Sequence, residues 1–156
     1  MSATMIERSA ADLYERDFHA WASAQAELLR AGNLAAIDLA HIAEEIESMG
    51  RSERRELVNR LVVLLLHLLK WRFQADRRGN SWRLSIKEQR IRLRSHLDDN
   101  PSLKTQIDWA IAQAYTLALI EAERETGLPE STFPVICPFT LDQCLDDTFW
   151  PDATSQ

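Results

Sequence analysis

An all-α fold, an up-and-down bundle of about five helices closed by a proline-rich strap and a short last helix, follows from three features of the sequence. The chain of 156 residues has only 4 glycines and 5 prolines, too few for turn-rich β architecture. Its glycines and Asn-Pro step fall between long periodic segments, where helices stop and start. One segment, Leu61 to Leu69, is apolar on every face except for His67, which water tolerates only if other helices surround it.

The elements follow in order. Gly32 supplies a left-handed helix end and Asn33 a cap, so a first helix near 12–31 passes to a second near 34–49. Gly50 is expected to end the second, and Ser52 to cap a third that reaches about Arg77. Gly79-Asn80-Ser81 closes the third helix and offers Ser81 as cap of a fourth, which ends near Leu97. Asn100-Pro101 pairs a cap with proline at the first helical position, where the missing N–H is no loss. The fifth helix then runs to Thr126 and stops at Gly127. Pro129, Pro134 and Pro138 keep Leu128 to Pro138 extended, with Phe133, Val135, Ile136 and Phe139 expected to cover a groove of the bundle. Thr140 caps a short last helix.

In the second helix Leu39, Ile42, Ile46 and Met49 make one apolar stripe on a polar rod, which places it at the periphery. The third is the central helix. Short connections favour antiparallel neighbours. The expected organisation is a tail over 1–11, one helical domain over 12–151 and a tail over 152–156.

These segments resemble a bacterial family known only as a domain of unknown function, number twenty-nine of its series. The resemblance covers roughly residues 12 to 151. It rests on Tyr14, Asp17 and Trp21; on Ala43-Glu44-Glu45-Ile46-Glu47 before Gly50; on His67-Leu68-Leu69-Lys70-Trp71, Ser81-Trp82, Ser85-Ile86 and Gln89-Arg90. Further along it rests on Pro101-Ser102-Leu103, Ala114-Tyr115, Thr126-Gly127-Leu128-Pro129, Phe133-Pro134 and Cys137-Pro138. The resemblance implies a helical fold and a bacterial source, particularly among cyanobacteria and proteobacteria. It implies no activity.

A net charge of -6 argues against a surface built throughout to meet nucleic acid or anionic lipid, although charge can be local. No opening segment reads as a secretory signal, and no apolar run approaches the ~20 residues that span a bilayer. The expectation is a cytoplasmic protein with no membrane partner, in which Cys137 and Cys144 are free packing thiols. Their spacing fits neither a redox pair nor a zinc knuckle. No glycine-rich phosphate loop or nucleophile elbow is present either.

Three places can carry chemistry. Asp38, His41 and Glu45 share one helical face with Glu44 and Glu47 alongside, a set that can ligate a divalent metal with help from His67 or His19. The same residues also read as a solvated face paired to Arg51, Arg54 or Arg55. His67, in the most apolar stretch, is either a core histidine bonded to a carbonyl or carboxylate, or a proton-transfer or ligand residue. Third, Lys70 to Arg94 holds nine cations against Asp76 and Glu88, interleaved with Trp71, Phe73 and Trp82. Its candidate interaction surface is Lys70, Arg77, Arg78, Trp82, Arg83, Lys87, Arg90 and Arg94. Such a surface binds the protein's own acidic helices, a second copy, another acidic or helical partner, or nucleic acid.

The leading reading is a non-catalytic interaction protein that self-associates or docks such a partner. The rivals are a metal-dependent hydrolase built on Asp38, His41, Glu44, Glu45 and His67, and a nucleic-acid binder using the basic stretch.

Overall fold

A computed structural model describes residues 3–152, with side chains described from residue 9 onward. Six α-helices, α1 (Ala3–Arg16), α2 (Phe18–Arg30), α3 (Leu39–Phe73), α4 (Asn80–Asp99), α5 (Ile107–Thr126) and α6 (Leu141–Leu145), are joined by turns and three short 3-10 segments. No strand occurs among the described residues, and the fold is all-α. No described helix is long and apolar enough to cross a membrane. The chain divides into two compact units, Met1–Ser52 and Glu53–Gln156.

In the first unit, the expected first helix is two helices. Asp17 leaves helical geometry at φ -148° and ψ 84°, and its carboxylate accepts the Ala20 N–H at 3.0 Å, so it caps α2. The helical stretch also extends back to Ala3, into what reads from sequence as a tail. Gly32 ends α2 as expected, in the left-handed region at φ 71°. There the Asn33 and Gly32 N–H groups reach the carbonyls of Leu28 and Leu29, satisfying two that the helix end would orphan.

Asn33 does not cap the next helix. Residues 34–37 form turns, and Asp38 caps α3 instead, its carboxylate accepting the His41 N–H at 3.4 Å. Gly50 does not end that helix, which runs unbroken from Leu39 to Phe73. A glycine stops a helix by taking a positive φ, and Gly50 does not take one. Inside a helix it weakens stability by only about 1 kcal/mol relative to alanine.

In the second unit, the α3 residues Leu57, Leu61, Leu64, Leu65, Leu68 and Leu69 are wholly buried, so the apolar segment is indeed the central one. Pairs of contacts fix its neighbours. Glu53 meets His96 while Lys70 lies over the Trp82 ring, which sets α4 antiparallel to α3. Arg54 lies over Trp109 while Lys70 bonds Glu125, which sets α5 parallel to α3. On α5, Ala110, Ala114, Ala118 and Ala122 recur every fourth residue and are wholly buried, a row of small side chains that lets helices approach closely.

The turn between α4 and α5 uses Pro101 as expected, but to open a 3-10 segment, Pro101–Gln106, before α5 begins. Gly127 ends α5 at φ 73°, and Thr140 caps α6 in a reciprocal box with Gln143. The strap is half as expected. Phe133 and Phe139 are buried, Phe133 edge-on to Phe73, and Tyr115 donates to the Pro134 carbonyl at 2.5 Å. Val135 and Ile136 instead face water at 92% and 81% exposure. Anchors on both sides turn the two intervening residues outward.

Candidate functional site

The polar cluster of the first unit is assembled around Asp38. Asp38 Oδ2 accepts the Trp21 indole N–H at 3.0 Å and pairs with His41 Nδ1 at 2.7 Å, while the Asp38 N–H donates to buried Gln25. Burial pushes the Asp38 carboxyl upward, but the bonds from His41 and Trp21 outweigh it and hold it below the ordinary aspartate range. The Tyr14 ring stacks on His41 with centroids 4.0 Å apart, and its hydroxyl donates to Glu45. That bond pushes the phenol up to about 12, so it stays a donor.

A groove of 740 Å³ runs past Asp38 and His41, and its walls are otherwise alanines with Ile37 and Leu39. Asp38 and His41 are thus joined and Glu45 is tied to them through Tyr14. Glu44 is exposed, and His67 belongs to the second unit. Chemically, a carboxylate holding one imidazole nitrogen leaves the other free to accept or pass a proton.

His67 takes the first of its two expected roles by geometry: its Nδ1 pairs with the Val63 carbonyl at 2.7 Å, one turn back on α3. Burial lowers its pKa, against the upward pull of that carbonyl. A depressed histidine pKa means the unfolded chain binds the proton first. The contribution of His67 is therefore present above 6.5 and lost as pH falls through the lower folded value. His67→Leu is expected to flatten the decline in melting temperature just below pH 6.5; a slope equal to that of the unaltered protein would contradict this.

The basic stretch is largely turned inward. Arg90, 1% exposed, bonds the carbonyls of Cys144, Gln143 and Phe149 at 2.8, 3.3 and 2.6 Å. Arg94 reaches the Leu145 carbonyl and Asp147, and Arg78 the carbonyls of Trp71 and Pro151. Lys70 is buried against Glu125 and Trp82. As surface residues, Lys70 and Arg90 are therefore corrected: Arg90 supplies donors to carbonyls of α6 and the segment after it, while Lys70 is drawn inward by the Glu125 carboxylate and the Trp82 ring. Arg77, Arg83 and Lys87 remain exposed. Leu84 and Ile91 on α4 are 46% and 54% exposed, and with Lys87, Glu88, Arg92 and Ser95 they shape a groove of 630 Å³.

Sequence reasoning passed over a second cluster. Glu53 and Glu56 lie one turn apart on α3, and the antiparallel α4 brings His96 to them, so that one ligand atom from each falls within 4.8 Å of the others. They border a cavity of 470 Å³ with Arg60, Arg92, Asp99 and Asn100. The Glu-x-x-Glu spacing was readable; its partner 40 residues further on was not, without the antiparallel register.

Cys137 and Cys144 are free thiols, and burial pushes Cys144 up to about 12, far from a reactive thiolate.

In comparison with known proteins, the family model described as Domain of unknown function DUF29 matches residues 13–150. No curated protein and no solved structure matches the chain.

Proposed function

We propose that this chain, which belongs to the family Domain of unknown function DUF29, is a non-catalytic helical module that pairs with a second copy of itself. The observation that carries the reading is the outer face of α4, where Leu84 and Ile91 stand in water beside Lys87, Arg83 and Arg92. The occupant that fits is the first unit of another copy. Its α3 residues Leu39, Ile46 and Met49 are 68%, 59% and 61% exposed, and they are flanked by Glu44, Glu45 and Glu47.

Both helices space apolar residues by seven, Leu84 to Ile91 and Leu39 to Ile46. Seven residues advance about 10 Å along a helix, two turns, so apolar side chains meet in step. Charge matches as well: residues 1–52 hold nine acids against four bases, and the exposed cations of α4 face the opposite sign. Free thiols agree with a reducing compartment, and we place the protein in the cytoplasm.

The test is sedimentation over a range of concentration and salt. A dimer that weakens with added salt is expected, since both patches are solvent-facing. Ile91→Asp should weaken it by about tenfold or more, from the ~1.5–3 kcal/mol that a buried isoleucine contributes. Lys87→Glu should weaken it too, with recovery when Glu47→Lys is added. A protein that stays monomeric at the highest attainable concentration sinks the reading.

A further inference from the structure

We infer that Glu53, Glu56 and His96 form a site for a single divalent transition-metal ion, zinc being the best match. Its core is His96, whose side chain is only 8% exposed. The Glu53 backbone carbonyl accepts from His96 Nε2 at 2.8 Å. In the tautomer that carries its proton on Nε2, Nδ1 offers the lone pair a metal needs, and a carbonyl contact of this kind is the way proteins fix the tautomer of a metal-binding histidine.

That Nδ1 has no hydrogen-bond donor among the described residues. It faces the Glu53 carboxylate instead, 3.6 Å from Oε2. A cation held between the buried imidazole nitrogen and the half-exposed carboxylate would bind both. Zinc bonds of about 2.1 Å place tetrahedral ligand atoms about 3.4 Å apart, close to that separation.

Glu56 completes the set. Arg60 occupies its Oε1 through Nε and Nη2, at 3.0 and 2.7 Å, which orients the carboxylate and leaves Oε2 for the ion. Asn100 Nδ2 approaches Glu53 Oε2 at 3.4 Å and orients that carboxylate. Around the cavity the carboxylates Glu53, Glu56 and Asp99 outnumber the cations Arg60 and Arg92, so a positive ion is favoured. One nitrogen and two oxygens suit zinc and its first-row neighbours over calcium or magnesium, which take oxygen alone. With three protein ligands, water from the cavity fills the fourth position.

All three ligands come from one chain, so this site stands whether or not the protein dimerises. The experiment is calorimetric titration of the full chain with zinc after chelator treatment, repeated with cobalt to read its visible absorption bands. One equivalent of zinc should bind. Glu56→Gln, on a half-exposed side chain that the fold does not need, should weaken binding by at least about tenfold. His96→Asn should abolish the cobalt bands; if that variant does not fold, Glu56→Gln alone decides. No binding at millimolar zinc overturns the inference. So does binding that Glu56→Gln leaves unchanged, or binding that His41→Ala removes, which would move the ion to the Asp38 cluster.

Discussion

Replacing Arg90 by leucine is expected to destabilise the second unit by about 3–5 kcal/mol, the range for breaking a buried charged hydrogen-bond network from one side. Leucine fills much of the space but donates nothing. The carbonyls of Gln143, Cys144 and Phe149 then lose this donor, at a buried bond for Cys144 and partly buried ones for the other two, and Gln143 keeps only the Asp146 N–H at 3.4 Å. Two of them lie in the short helix α6, whose last carbonyls have no partner within the helix. The Trp150 ring, 5.3 Å from the guanidinium, loses a cation as well. At about 2–4 °C per kcal/mol for a chain of this size, the melting temperature should fall by roughly 10 °C.

Arg90→Lys keeps the charge without the fork and should fall between the two. Arg92→Leu is the control: its pair with Glu88 is exposed on both sides, and such pairs contribute about 0–1 kcal/mol. Equal melting temperatures for the Arg90→Leu and Arg92→Leu proteins would show that the carbonyl contacts carry no weight.

Arg90 also marks the limit of what the sequence discloses. A run of cations among tryptophans looks the same whether it faces a partner or the backbone of its own chain. The difference lies in carbonyls more than 50 residues away, at the end of a helix too short for its pattern to announce. Local signals fared better. The left-handed ends at Gly32 and Gly127 and the Thr140 cap are written in adjacent residues, and the uninterrupted apolar run marked the central part of α3.

Punctuation misled where two readings compete. Gly50 can end a helix or sit inside one, and strong helix formers from Arg51 onward favour the second. Asp17 was legible as a cap, since Ser, Thr, Asp and Asn all serve, but no glycine or proline drew attention to it. At the clusters, residues on one helical stripe were readable as neighbours, which gave Asp38 with His41. Tyr14 and Trp21 from other helices, and His96 beside Glu53, depend on packing that a single sequence does not display.

Asp38→Ala is expected to destabilise the first unit by about 2–4 kcal/mol, because one carboxylate serves three donors. Trp21 is 3% exposed, so its indole N–H would be left buried and unpaired, which alone costs about 1–3 kcal/mol. The α3 cap is lost too, typically about 1 kcal/mol. His41, released at Nδ1, would no longer be fixed under the Tyr14 ring. The readout is hydrogen exchange at the Trp21 indole, slow in the unaltered protein and fast in the variant.

Acid should act on the same group. The folded pKa of Asp38 is depressed below 3.8, so the unfolded chain takes up the proton first. Its contribution is complete above that value and disappears as pH drops through the folded one. Indole exchange should therefore accelerate below pH 3.8 in the unaltered protein but show no such step in Asp38→Asn, whose amide oxygen still accepts from Trp21 and does not titrate. A step that persists in Asp38→Asn would assign the acid sensitivity to another carboxylate.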